Sequence, residues 1–241
     1  MLQALIFDVD GTLADTEMAH LAAFNHAFAE IGLDWHWDVP LYKRLLAVSG
    51  GKERIKAYWQ THANQPKDIS GAGTQETIDR LHDIKTAAYE QAVQDGAVQM
   101  RPGVLALLSA ASTSGLKLAI ATTTSPVNIA ALLRQAIGAD WKQHFSVIED
   151  ASTAPHKKPD PMVYQQTLTR LGLRTEHCLA FEDSENGLHA AMAAGLATVI
   201  TPNDFTAEHD FRGALRTISS LQGVGVAQLR EWHSTFFKAT A

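Results

Sequence analysis

The stretch Ala4-Leu5-Ile6-Phe7-Asp8-Val9-Asp10-Gly11-Thr12-Leu13 sets four apolar residues directly before two carboxylates and a glycine. A short apolar run ending in acidic and turn-forming residues reads as a buried strand that opens into a loop. Both aspartates then stand at the strand's carboxyl end. The same form recurs at Leu116–Ala121 before Thr122-Thr123-Thr124-Ser125, at Phe145–Ile148 before Glu149-Asp150, and at Cys178–Phe181 before Glu182-Asp183-Ser184. A further strand, Ala197–Ile200, leads into Thr201-Pro202-Asn203-Asp204. Apolar residues at helical spacing fill the gaps over Gly103–Ser114, Val127–Ile137, Pro161–Leu171 and Asn186–Ala194. Strands alternating with helices predict an α/β fold, a doubly wound parallel (Rossmann-like) sheet. In such sheets ligands lie beyond the carboxyl ends of the strands, where each of these acidic or hydroxyl clusters falls.

The alternation stops between about Thr16 and Gln94. Apolar spacing there is helical at Met18–Ile31, Leu41–Val48, Ile55–His62 and Thr77–Val93, with no convincing strand between. The expected organisation is a catalytic core of residues 1–15 and 95–241 with an inserted α-helical domain of residues 16–94. Pro66 through Gly73 is the insert's most loop-like part, and Asp95-Gly96 with Arg101-Pro102-Gly103 marks the return to the core.

A chain of 241 residues, 46% of them hydrophobic, has enough apolar material for a large core. Its net charge of −6 offers no basic field, which argues against nucleic acid or an anionic membrane surface as partner. No apolar run approaches the roughly 18 residues of a membrane span, and Met1–Phe7 lacks the basic start of a signal peptide. The single cysteine, Cys178, has no partner for a disulfide, so a cytoplasmic protein is expected, a monomer or weak homodimer.

Phosphoryl transfer needs a nucleophile, a proton carrier and charge neutralisation held close together. Asp8 would supply the nucleophile, forming an aspartyl-phosphate that splits one hard hydrolysis into two easier steps. Asp10 would protonate the leaving alkoxide and then activate water. A lone Asp-x-Asp reads more readily as a hydrogen-bonded turn after a strand, so the later strand ends decide. Glu182 and Asp183 would join Asp8 if their strands are neighbours, giving the all-oxygen site that Mg²⁺ prefers. Thr122, with Thr123 beside it, offers a hydroxyl and backbone N–H groups to phosphate at a helix start. Lys158 offers a cation to the transition state or, taken alone, is a solvated loop lysine.

Together these motifs resemble the haloacid dehalogenase superfamily: Asp8-Val9-Asp10-Gly11-Thr12-Leu13, then Thr122, then Lys158-Pro159-x-Pro161-x-x-Tyr164, then Glu182-Asp183-Ser184. The helical insert is similar to that family's C1 cap. The resemblance implies that Asp8 is the nucleophile and Asp10 the acid/base. It also implies that Mg²⁺ is held by the Asp8 side chain, the Asp10 carbonyl and Asp183, that Glu182 supports the metal's waters, and that Thr122 and Lys158 bind phosphate. Within the superfamily, Ala14-Asp15-Thr16-Glu17-x-x-His20 and Ser49-Gly50-Gly51-Lys52-Glu53-Arg54 are similar to the CbbY branch, with the β-phosphoglucomutases close by. That branch implies a small phosphorylated sugar as substrate, foremost xylulose-1,5-bisphosphate. The alternatives are a β-phosphoglucomutase, another sugar-phosphate or phosphoglycolate phosphatase, and a non-catalytic sensor of a phosphorylated ligand.

A bisphosphate needs cations about one sugar length from the reacting phosphate. Lys52 and Arg54, in a loop opened by Gly50-Gly51, are the candidates. Glu17 and His20, three apart on one helix face, would contact the same sugar hydroxyls or else form a surface pair. Tyr42 and Arg44 are further cap candidates. Trp35 and Trp37 read as cap packing, Cys178 as a small core residue, His156 as a solvated loop residue, and Arg230–Phe237 as a helix docking an apolar face on the core.

Overall fold

A computed structural model describes residues 1–62 and 72–239. In chain order the elements are β1 (Ala4–Phe7), β2 (Ala14–Asp15), α1 (Glu17–Glu30), α2 (Val39–Leu45), α3 (Gly51–His62) and α4 (Ala72–Gln94), then β3 (Gln99–Met100), α5 (Val104–Thr113), β4 (Lys117–Ala121), α6 (Pro126–Ile137) and β5 (Val147–Glu149). They end with α7 (Met162–Leu171), β6 (Cys178–Glu182), α8 (Glu185–Ala193), β7 (Ala197–Ile200), β8 (Arg216–Thr217) and α9 (Val226–Ala239). Six strands form one sheet in the order β5-β4-β1-β6-β7-β8, every neighbouring pair parallel. Strand β1 is the switch point, with Phe7 opposite Ile120 on β4 and Phe181 on β6.

Side chains alternate between the two faces of the sheet, as the period of a strand requires. Leu5, Phe7, Leu118, Ile120, Leu179 and Phe181 pack on one face with α5, α6 and α9. Ala4, Ile6, Ala119, Ala121, Cys178 and Ala180 pack on the other with α7 and α8. Burial on both faces explains why these strands read as continuous apolar runs. The docking expected of the C-terminal helix is present: Val226 and Leu229 are buried in the first cluster, with Trp232, Phe236 and Phe237 against it.

The helical insert has its own aromatic core, in which Phe24, Phe28, Trp37, Tyr42, Tyr58 and Trp59 are buried together. Trp37 is fully buried and meets the rings of Phe24, Phe28 and Tyr58 at 4.7, 4.9 and 5.3 Å. Trp35 packs against the same cluster, so cap packing accounts for both tryptophans. Helices α1 and α4 also reach the sheet's cluster through Ala19, Ala23, Tyr89 and Val93.

Three two-residue strands escape any reading of periodicity. Two of them, β2 and β3, pair antiparallel with Ala14 opposite Met100, so the chain leaves for the helices and returns from them through one ribbon. The loop expected at Pro66–Gly73 falls mainly on residues outside those described, and α4 is already formed at Ala72. Lys52 and Arg54 belong to α3 rather than to a loop. Gly50, at φ +94°, accepts the first helical hydrogen bond from the Arg54 N–H at 3.0 Å, so the helix begins at Gly51.

Candidate active site

Because β1 lies between β4 and β6, the residues at the ends of these strands converge beyond the carboxyl edge of the sheet. Asp8 leaves β1, Thr122 leaves β4, and Glu182 ends β6 with Asp183 next. Helices α6 and α8 start at the same edge, capped by Ser125, which accepts from Asn128 N at 3.3 Å, and by Ser184, which accepts from Gly187 N at 3.2 Å. The α8 turn is tight: a Cβ on Gly187 would collide with Glu182 Oε2, so only glycine fits beside that carboxylate.

Lys158 reaches this floor from the loop before α7. Its Nζ donates to Asp8 Oδ1 at 2.7 Å, Glu182 Oε1 at 2.6 Å and the Ala121 carbonyl at 2.9 Å, which uses all three ammonium protons. Its burial excludes a solvated loop lysine. Tyr164 also donates to Glu182 Oε1. Burial pushes Asp8 above the usual carboxylate range, although Lys158 opposes it. Burial likewise raises Glu182 to about 7 against the pull of Lys158. Asp183 is pushed far up by burial and by the neighbouring charges of Asp8 and Glu182.

Three buried carboxylates therefore face one ammonium group. Asp8, Glu182 and Asp183 each offer an oxygen, all within 4.8 Å of one another, and Glu182 Oε2 is buried without a hydrogen-bond partner among the described residues. Surplus negative charge, oxygen-only donors and an unsatisfied buried oxygen fit a small divalent cation.

Asp10 is held from the other side. His20 Nε2 lies 2.9 Å from Asp10 Oδ1, and Lys85 Nζ lies 2.9 Å from His20 Nδ1. A lysine ammonium only donates, so Nδ1 accepts and Nε2 carries the proton to Asp10. Burial and Lys85 push His20 below its ordinary value, against the pull of Asp10. Burial would raise Asp10, but His20 and Lys85 outweigh it and hold Asp10 well below the usual range. The Lys85 ammonium is itself pushed down to about 8 by burial. His20 is stacked on Tyr89 at 4.1 Å, so it is neither a surface residue nor paired with Glu17.

Glu17 instead accepts from the Tyr42 hydroxyl at 2.8 Å, and Arg54 donates to the same hydroxyl at 3.2 Å. Lys52 pairs with Asp79 at 2.5 Å, both side chains largely exposed. A cavity of about 320 Å³ joins floor to roof, lined by Asp8, Lys158 and Thr122 below and by Glu17, Lys52 and Arg54 above. Thr123, Gly51, Asp183 and Lys85 line it as well. Across its mouth Asn186 of α8 donates to the Ala47 carbonyl at 3.0 Å and Ser49 Oγ at 3.2 Å, joining core and insert.

Asp8, Asp10, Thr122, Thr123, Lys158 and Asp183 of the core motifs and Glu17, His20, Gly51, Lys52 and Arg54 of the sugar grip all line this one cavity, whereas Glu182 lies beneath its floor holding Lys158. Of the two further cap candidates, Tyr42 stands behind the wall, bonded to Glu17 and Arg54, and Arg44 does not line the cavity. Sequence reasoning misses Lys85, although a lysine on the apolar stripe of Ile78, Leu81 and Tyr89 in α4 is a signal that marks it.

A parallel α/β sheet with aspartates, a lysine and a hydroxyl meeting at its switch point under a helical insert defines a hydrolase of the phosphoryl-handling kind. Residues 2–195 match the model of the haloacid dehalogenase-like hydrolases, and the chain belongs to that family as a phosphoric monoester hydrolase. It is 51% identical to "Protein CbbY, plasmid" of Cupriavidus necator, over 99% of this chain and 100% of the relative. The crystal structure of CbbY from Rhodobacter sphaeroides in complex with phosphate superimposes with a TM-score of 0.88 at 38% identity, covering 95% of this chain and 100% of that one. A mutant of the same protein in complex with xylulose-(1,5)bisphosphate matches equally, with a TM-score of 0.88 at 38% identity over 95% and 99% of the two chains.

Proposed function

We propose that this protein removes one phosphate from a small sugar bisphosphate, xylulose-1,5-bisphosphate, by way of a phosphorylated Asp8. The observation that carries the reading is a single cavity with a nucleophilic carboxylate at one end and cations at the other. One phosphate would sit on the floor, within reach of Lys158 and of Thr122 and Thr123. The second would meet Lys52 and Arg54 on the roof. The relative crystallised with that bisphosphate supports this choice of substrate.

In the first step Asp8 attacks phosphorus, the bond from phosphorus to the sugar oxygen breaks, and Asp10 delivers a proton to the leaving oxygen. In the second, Asp10 takes a proton from water, the water oxygen attacks phosphorus, and phosphate leaves with Asp8 restored. The resting Asp10 is an ionised carboxylate suited to the second step, and the arriving phosphate's negative charge would raise its proton affinity for the first. Mg²⁺, held by Asp8, Asp183 and the Asp10 carbonyl with Glu182 close by, would supply positive charge to the phosphoryl oxygens. Residues 16–94 would act as a cap that closes over the sugar, with Asn186 fastening it.

Phosphate release across sugar mono- and bisphosphates, with and without Mg²⁺, tests the reading. Preference for the pentulose bisphosphate and loss of turnover on chelation are expected. Preference for hexose or phosphoglycolate monoesters would reject the substrate, and conversion of a hexose phosphate without net phosphate release would indicate a mutase.

A further inference from the structure

Arg101 stands directly after β3, outside the cavity and buried. Its Nη1 donates to the Gly11 carbonyl at 2.6 Å, the Thr201 carbonyl at 2.5 Å and Thr201 Oγ1 at 3.0 Å. Its Nη2 donates to the Pro202 carbonyl at 2.7 Å, and its Nε lies 3.2 Å from Asp15 Oδ1. One planar guanidinium thus spans the loop after β1, the loop after β7 and the strand β2.

The loop after β7 carries Asn203, whose Nδ2 donates to Asp183 Oδ2 at 2.7 Å and reaches the Gly11 carbonyl at 3.4 Å. Its Oδ1 accepts from Phe205 N at 2.8 Å, which fixes the amide with its NH₂ towards Asp183. The carboxylate also rests on Gly11 itself: that residue has φ +75°, and a Cβ there would collide with Asp183 Oδ2. Among the described residues Asp183 Oδ1 receives only a long contact, 3.4 Å from Thr12 Oγ1, and is the less committed oxygen. Both groups that orient Asp183 Oδ2, Asn203 and Gly11, therefore lie on loops that Arg101 ties together.

We propose that Arg101 is a positioning residue for the metal site, acting through Asn203 and the Gly11 carbonyl to aim the Asp183 carboxylate. The inference rests on the Mg²⁺ reading of the proposed function. It goes beyond it by giving a role to a residue that touches neither substrate nor metal. Partners that orient a ligand are typically worth roughly 10- to 100-fold in metal affinity.

The test is direct calorimetric titration of Mg²⁺ into the substrate-free full chain, with thermal melting of each variant alongside. Arg101→Met is expected to raise the Mg²⁺ Kd about tenfold. Arg101→Lys should not rescue it, because a point charge cannot span two loops. Asn203→Ala should weaken Mg²⁺ similarly while leaving the melting temperature close to wild type. The double variant should be no weaker than Arg101→Met alone, since both act through one carboxylate. Wild-type affinity in folded Arg101→Met, or losses that multiply in the double variant, would overturn the proposal. If Arg101→Met does not fold, Asn203→Ala decides alone, and an unchanged Kd there overturns it. A wild-type chain that binds no Mg²⁺ removes the metal reading itself, whereas binding that is indifferent to these variants removes only the role of Arg101.

Discussion

At the floor of the cavity three buried carboxylates, Asp8 and Asp183 in its lining and Glu182 just beneath, crowd the ammonium of Lys158. On the roof the cations Arg54 and Lys85 lie over Phe24, and the neighbouring carboxylate Glu17 is already engaged by Tyr42. The floor is short of positive charge, whereas the roof brings Lys52, Arg54 and Lys85 to the cavity. A floor of that kind calls for a metal ion and suits bond breaking. A roof of that kind suits the grip on an anion that does not react. Under the proposed function the contrast would separate catalysis from recognition along one cavity, and variants on each side test it.

The floor should fail hardest. Asp8→Asn keeps the shape but removes the proposed nucleophile, and turnover measured as phosphate release should fall by roughly 10⁴-fold or more. Near-normal turnover would end the covalent mechanism. Lys158→Met should cost about 10²- to 10³-fold in kcat. It also strands Asp8 and Glu182 without their counter-charge, so the substrate-free protein should lose about 3–5 kcal/mol in denaturant unfolding.

The link between floor and roof comes next. Lys85 carries its charge below about pH 8 and loses it as pH rises through that value, so support for His20 and Asp10 weakens on the alkaline side. Activity should decline above about pH 8. In Lys85→Met that limb should vanish at a plateau lowered by about 10-fold or more. A variant that retains the alkaline limb would disconnect Lys85 from Asp10.

The roof should give the mildest effects, visible mainly in KM. Arg54→Met should raise KM for a bisphosphate about tenfold and leave monophosphates nearly unaffected, the signature of uniform binding to a remote group. Lys52, exposed and paired with Asp79, should matter by only about 2- to 3-fold and less still at high salt. Equal losses with mono- and bisphosphates would dissolve the distinction between the two ends.

The floor is legible in the sequence for the reason that makes it work. Each of its residues ends or succeeds a strand of the parallel sheet, except Lys158, which lies in a loop ahead of a helix. Strands buried on both faces leave unbroken apolar runs, and the polar residues at the ends of those runs stand out. The roof is less legible because its residues lie on helix faces far apart in the chain. Lys85 meets His20 across 65 positions, and nothing local to either announces the other. Periodicity identifies the helices but not which turns look into the cavity, which is why Lys52 and Arg54 read as a loop and Glu17 and His20 as a pair. The ribbon β2–β3 is too short to show alternation, and the reach of Arg101 depends on it.

That ribbon has a consequence for how such a protein can change over generations. Asp15 and Gln99 are direct partners across it, so the chain leaves the sheet and comes back at one spot. Antiparallel partners lie only about 5 Å apart. A segment whose two ends meet so closely behaves like a cartridge. Its outer part, the aromatic cluster around Trp37, can vary in length without altering the path of the strands that hold Asp8, whereas Ala19, Ala23, Tyr89 and Val93 are tied into the sheet's own core. Variation there can reshape the roof, provided that His20 and Lys85, which the insert supplies to Asp10, stay in place.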